Sequence, residues 1–237
     1  MKKTHFLQFF TKKHNEIQLQ IISSNSIITN INSTNYLGLI IDGTLLWKEH
    51  INELTSKLNK ACYAVRAIKP FMSLDVLKII YYAYVHSVMS YGIIFGGNSY
   101  FSDIIFKVQK RIIRVISGSG RWDSCHDLFR KFQILPLPSL YIFSLLVFVN
   151  KNGNCFTSNC EVHDFNTRFS QNLHLPSTNL SLVQRGVLFS RSKIYNHLPL
   201  NIKILSNDPD RFKFALKTYL AKHAFYSLDE YYNLYSY

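Results

Sequence analysis

The spacing of apolar residues along this chain changes near residue 46. Before that point they come in short β-branched runs. Gln18-Leu19-Gln20-Ile21-Ile22 and Ser26-Ile27-Ile28-Thr29-Asn30-Ile31 flank the polar Ser23-Ser24-Asn25, the pattern of a β-hairpin. Tyr36-Leu37-Gly38-Leu39-Ile40-Ile41 reads as a third strand, closed by the turn signal Asp42-Gly43.

From Glu49 to Lys69 the apolar positions are Ile51, Leu54, Leu58, Cys62, Val65 and Ile68, whose steps of three and four predict one face of a helix ended by Pro70. Ser73 can cap a second helix, with Asp75 favoured by the dipole of its first turn. Leu77, Ile80, Tyr81, Tyr84 and Val88 make its stripe, and Gly96-Gly97-Asn98 is its predicted stop. A third helix is expected over Ser102 to Ser117, ending at Gly118-Ser119-Gly120, then a short fourth over Asp127 to Gln133 and an apolar fifth over Ser139 to Asn150. Beyond Asn150 the composition shifts to Asn, Ser, Thr, His and Pro, which marks a looser region. Its last helix, near 209–222, is signalled by Asp208 as cap, Pro209 in the first position, and Phe212, Ala215, Leu216, Tyr219 and Leu220 as the buried side.

Composition narrows the class. The 237 residues include 47% apolar and 15% aromatic positions, enough to bury a core and unlike a disordered or collagen-like chain. The length suits one large domain or two small ones, not a multidomain polymerase or motor. Cys62, Cys125, Cys155 and Cys160 are too few and too scattered for a disulfide scaffold, so a reducing compartment is expected. The uncharged stretches Ile79 to Asn98 and Ile134 to Val149 carry His86 or prolines and read as buried core helices, so no membrane partner is expected.

Charge changes the picture more. Lys and Arg number 27 against 14 Asp and Glu, a formal net charge of +13. On the third helix Ile104, Ile105, Val108, Ile112, Val115 and Ile116 occupy an arc of about 120°, while Lys107, Lys110, Arg111 and Arg114 share another of about 100°. No acid lies between Ile104 and Gly120 to pair with these four, and Arg121 follows on a Gly-rich turn. Such cations are placed to meet phosphates, although a solvated face of an ordinary amphipathic helix would look alike.

Other chemistry is weaker. Cys155, Cys160, His163 and His174 could supply zinc ligands, but their spacing matches no usual knuckle or finger. Cys125-His126 lacks anything that would place the imidazole beside the thiol. The carboxylates are mostly isolated, whereas two-metal phosphoryl chemistry needs at least two that converge. There is no GxxxxGK[ST], GxSxG or HExxH pattern. From its own residues the chain presents no active site.

Several segments, in order, resemble one family. Tyr36-Leu37-Gly38-Leu39-Ile40-Ile41-Asp42 followed by Leu46-Trp47-Lys48-x-His50-Ile51 is similar to the palm–thumb junction of jockey-like reverse transcriptases from non-long-terminal-repeat retrotransposons. Tyr91-Gly92-Ile93-Ile94-Phe95-Gly96-Gly97-Asn98-Ser99, Ile105-Phe106-x-Val108-Gln109-Lys110-Arg111-Ile112-Ile113-Arg114 and Leu128-Phe129-x-x-Phe132-x-Ile134-Leu135-Pro136-Leu137 resemble its thumb. His163-x-x-Asn166-Thr167-Arg168, Leu173-His174-Leu175-Pro176 and Lys193-Ile194-Tyr195-Asn196-His197-Leu198-Pro199 resemble its carboxyl-terminal region.

The resemblance implies a mostly α fold with a small N-terminal antiparallel β segment. Residues 1–45 would be the end of the palm, 46–150 a helical thumb-like domain and 151–237 a C-terminal extension. Tyr36, Leu37 and Gly38 would belong to the primer-grip strand. Lys107, Lys110, Arg111, Arg114 and Arg121 would lie on the thumb that clamps RNA or an RNA/DNA duplex through its phosphates. The catalytic aspartates of the family, which hold Mg²⁺, lie upstream of the stretch that Lys3-Thr4-His5-Phe6 resembles, so no cofactor and no catalytic residue is expected in this chain. A 5′-truncated copy with an opportunistic Met1 would produce such a piece, acting inside the cell in nucleus or cytoplasm. The alternatives are a stand-alone basic nucleic-acid-binding module and a remnant without function.

Overall fold

The computed structural model describes residues 4–10, 19–23, 26–152, 156–162 and 172–234. Short strands come first and helices follow, as the change of period predicts. β1 (His5–Phe6) pairs in parallel with β3 (Ser26–Asn30), and β2 (Ile21–Ser23) pairs antiparallel with β3, with Ile21 opposite Ile28. The sheet order is β1-β3-β2. β4 (Ser33–Tyr36) and β5 (Leu39–Asp42) form a second antiparallel pair in which Tyr36 faces Leu39. Here the reading of Tyr36 to Ile41 as one strand is corrected. Leu37 and Gly38 have φ of 50° and 78°, so the run folds back on itself in a two-residue turn of the I′ kind. An apolar Leu at a position that usually holds Asn or Asp hides that turn.

The helical part is built on α1 (Lys48–Ile68), which buries Ile51, Leu54, Leu58, Cys62 and Val65 as its period requires. Ser73 accepts from the Val76 N–H at 3.5 Å and opens α2 (Leu74–Ile80). That helix runs on through a wider, π-helical turn (Tyr81–His86) into α3 (Ser87–Ser90). Its buried positions are Leu77, Tyr81, Val85 and Met89, while Tyr84 stands 66% exposed, so the predicted stripe is corrected at this end. Each step of four overshoots an α-turn by about 40°. The wider turn absorbs that excess and keeps the four on one face. The helix also stops earlier than predicted, at Tyr91-Gly92, because Gly92 takes φ 65° and the Leu39 side chain sits where a Cβ would be.

After α4 (Ile93–Gly96) come α5 (Ser102–Ser117), α6 (His126–Phe132) and α7 (Leu137–Lys151). On α5 the packed set is Ile105, Phe106, Val108, Gln109, Ile112, Ile113 and Ile116; Ile104, predicted to pack, is 38% exposed. α7 is apolar all round because it lies in the middle of the bundle, with α3, α4, α5, α10 and α12 packed against it. Among the described residues no single helix is long and apolar enough to cross a membrane. The later helices are α8 (Asn159–Val162), α9 (Ser181–Arg185), α10 (Val187–Asn196), α11 (Leu200–Lys203), α12 (Pro209–His223) and α13 (Leu228–Asn233). Asp208 caps α12 by accepting from the Arg211 N–H at 3.1 Å. Ile194, Leu198, Ile202, Phe212, Leu216, Leu220 and Tyr231 join the same buried cluster as α1, α5 and α7. Residues of α10 to α13 and the connections between them therefore share one core with α1, α5 and α7.

Candidate nucleic-acid interface

Three contacts fix how α5 lies against α1. The Lys48 ammonium sits 5.9 Å from the Phe101 ring, Arg111 Nη1 donates to Asn59 Oδ1 at 3.4 Å, and Lys69 comes up beside Gly118. The residue numbers rise together, so the two helices run side by side in the same direction. Their solvent sides form one surface.

The four predicted cations of α5 do share a face, with different freedom. Lys107 and Arg111 are exposed, Lys110 and Arg114 half-buried. At one edge of the arc Arg111 leans toward α1; at the other the Lys110 ammonium lies over the rings of Phe106 and Tyr226, at 4.5 and 5.5 Å. Arg114, between them, donates through Nε to the Asp123 carbonyl at 2.9 Å. The expectation that all four are free is thus corrected: three have partners in the fold. None of these partners is a carboxylate, and among the described residues none of the four cations is in an ion pair. An arginine has five N–H donors, and one bond leaves most of them for a ligand.

α1 adds what the sequence reading did not include. Asn52, Ser56, Lys60 and Tyr63 project from its outer side, with Tyr63 76% exposed, and Arg66 is exposed near the seam with α5. Burial raises the Cys62 thiol pKa, and the nearby charges of Arg66 and Arg111 oppose that rise. Both guanidiniums are therefore close to the same point on the seam. Glu53, the acid on this stretch, is held by Lys57 at 2.5 Å, and that hydrogen bond and charge lower its pKa. Since the buried side of α1 marks its inner face, the period itself exposes these residues.

The predicted Tyr36, Leu37 and Gly38 form the tip of the second hairpin, on the opposite flank of α1. There Gly38, His50, Lys57 and Tyr91 line one hollow. The Tyr91 hydroxyl donates to the Leu37 carbonyl, and the Ile40 N–H donates to His50 Nδ1 at 3.4 Å. Burial, the main cause, lowers the His50 pKa and keeps the ring neutral so that it can accept. The Tyr36 and Leu37 side chains point outward, 63% and 72% exposed. Hairpin tip, outer ridge of α1 and cationic arc of α5 follow one another across the molecule. Packed helices lie about 8–10 Å apart between axes, which sets the spacing of the α1 ridge and the α5 arc.

Asp42 anchors this arrangement. Its Oδ1 accepts from the N–H groups of Thr44 and Leu46, both at 3.1 Å, and its Oδ2 from that of Trp47 at 2.9 Å. One carboxylate therefore closes the hairpin and serves the N-terminus of α1, where Trp47 at φ 63° offers no side-chain cap. Trp47 then stacks on Phe95 with centroids 6.0 Å apart.

Among the described residues no group of three or more His, Cys, Asp or Glu side chains is placed to hold an ion. Asp42, Asp123 and Asp208 accept from backbone N–H groups and Glu53 pairs with Lys57. Cys155 and His163 of the weighed zinc set, and His163 to Arg168 of the resemblance, lie outside the described residues. Cys125 is buried 3.5 Å from the Lys110 carbonyl, and burial raises its pKa, the opposite of an activated thiol. Trp122, on the turn after α5, is 87% exposed with the Arg121 guanidinium 5.3 Å from its ring centroid. Comparison with protein-family models, with curated proteins and with solved structures yields no match.

Proposed function

We propose that this chain is the thumb and adjoining region of a retrotransposon reverse transcriptase, and that it holds an RNA or RNA/DNA duplex by its phosphates without catalysing polymerisation itself. The observation that carries this reading is the exposed cationic surface formed by Lys107 and Arg111 on α5 with Lys60 and Arg66 on the parallel α1. Phosphate contacts from such a surface set the register of a duplex without reading its sequence, which is what a polymerase thumb requires. The exposed Leu37 and Tyr36 at the hairpin tip would touch the primer strand from the other side of α1. Exposed apolar side chains on the first sheet and around α2, such as Ile22 at 66% and Phe71 at 82%, fit a piece that packs against a larger enzyme. The resemblance supports the class, and the exposed cations support a phosphate-bearing ligand.

Binding of a short RNA/DNA duplex followed over a range of salt tests this. Each phosphate neutralised should steepen the fall of log K with log salt by about 0.9 on DNA. Lys107→Glu with Arg111→Glu should flatten the slope by about two contacts, and an unchanged slope overturns the interface. A primed RNA template with Mg²⁺ should show no extension.

A further inference from the structure

The turn that follows α5 is braced more heavily than a connection needs. The Arg114 carbonyl accepts from the N–H groups of Gly118 and Ser119 at 3.0 and 3.2 Å, and the Arg114 side chain donates to the Asp123 carbonyl at 2.9 Å. One residue therefore holds both ends of the turn. The Asp123 carboxylate closes it from inside by accepting from the Gly120 N–H at 2.7 Å. What this frame presents is Trp122, at 87% the most exposed large apolar side chain among the described residues, with the Arg121 guanidinium over its ring.

Leaving an indole ring in water forfeits one of the largest burial gains a side chain can make. A rigid turn that does so beside a cation, at the end of a cationic arc, has the two parts a nucleotide needs: a flat π surface for the base and a positive charge for its phosphate. From Lys107 to Ser117 the arc runs about 15 Å along α5, which is the distance of a few phosphates. It ends at Trp122. We infer that Trp122 is a stacking platform for an unpaired nucleobase, where a single strand leaves the duplex held on α1 and α5, with Arg121 on the adjoining phosphate. This deepens the duplex-clamping reading and rests on it for the placement of the duplex.

The readout is indole fluorescence of the full chain carrying Trp47→Phe, in which Trp122 is the sole emitter. A short oligouridine should quench it, and a blunt RNA/DNA duplex of the same length should quench it much less. A duplex with an unpaired extension should bind at least about fivefold more tightly than the blunt one, an increment that Trp122→Ala removes. If Trp47→Phe does not fold, because Trp47 stacks on Phe95, the difference in emission between the unaltered chain and Trp122→Phe isolates the same signal. No quenching by the oligouridine, or an extension preference that survives Trp122→Ala, overturns the platform. Quenching by the single strand without binding of the blunt duplex instead keeps the platform and defeats the clamp.

Discussion

The side-chain amide of Gln109 donates to the hydroxyl of Tyr81 at 2.9 Å, and neither residue has any exposed surface. The same Nε2 donates to the Leu135 carbonyl at 2.9 Å, and Oε1 accepts from the Leu137 N–H at 2.8 Å. This one polar side chain in the core therefore joins α5, the π-helical turn and the start of α7. It points away from the Lys107 to Arg114 arc, on the far side of the same helix. The roll of α5 about its axis, and with it the outward aim of the cations, is set from the core.

Replacing Gln109 with Leu should consequently be costly although the volumes are similar. It leaves the Leu135 carbonyl and the Leu137 N–H buried without partners, at about 1–3 kcal/mol for each group. Urea unfolding should show a loss of about 3 kcal/mol or more, against about 1 kcal/mol for Tyr81→Phe. Equal small losses for the two variants would remove the node from the account of α5.

Asp42 invites a similar test at the other end of the interface. Asp42→Ala removes a carboxylate that accepts from three backbone N–H groups. Hydrogen bonds to a charged group contribute about 1.5–3 kcal/mol each, and water can replace part of that in this half-buried loop. A net loss of about 2–3 kcal/mol is expected, with Asp42→Asn losing less because one oxygen remains. Proteolysis should speed up between the hairpin and α1 in the Ala variant, and an unchanged cleavage rate would show that the junction is held by something else.

How much of this was legible from the residues depends on whether a feature is local. α1 and α5 follow from the period of their apolar positions, and α2 and α12 also from their caps, because Ser73 and Asp208 bond the N–H groups they are placed to bond. The charged arc was legible for the same reason. The Leu37-Gly38 turn was not, since a run of apolar residues looks the same in one strand or two. The wider turn at Tyr81–His86 is a tertiary effect: Tyr81 is tied to Gln109, and the Tyr82 hydroxyl donates to the Gln133 carbonyl at 3.3 Å. Arg114 likewise shows as a cation in the sequence, while its role in building a turn depends on where Asp123 ends up. Trp122 could have been noticed as an aromatic after Gly118-Ser119-Gly120-Arg121, but its exposure is set by that brace.

Acid should weaken the fold through its histidines. Burial lowers the pKa of His50, His86 and His223, helped by Lys57 at His50, by Lys217 at His86, and by Lys222 and Arg130 at His223; Glu53 partly opposes it at His50. A lowered pKa in the fold means that the unfolded chain binds more protons once the pH drops below about 6.5, so stability is fully present above that value and falls below it. The midpoint of thermal unfolding should therefore decrease from about pH 7.5 to about pH 5.5. His50→Gln should make that decrease shallower, because an amide can accept from the Ile40 N–H at either pH. A midpoint constant over the range would contradict these burial assignments.

The hairpin tip separates stability from binding. Leu37 holds φ 50°, where a branched side chain is strained and Asn is well tolerated, and it is followed by Gly38 at φ 78°. Leu37→Asn should therefore raise the stability by about 0.5–1 kcal/mol, since Asn-Gly is the preferred pair for such a turn. Yet an apolar side chain 72% exposed at that point has no packing role to lose. If it touches the primer strand, the same substitution should weaken duplex binding several-fold while the thermal midpoint rises, the trade expected where function tolerates strain. Higher stability with unchanged affinity would take Leu37 out of the interface and leave the cations of α1 and α5 to hold the duplex alone.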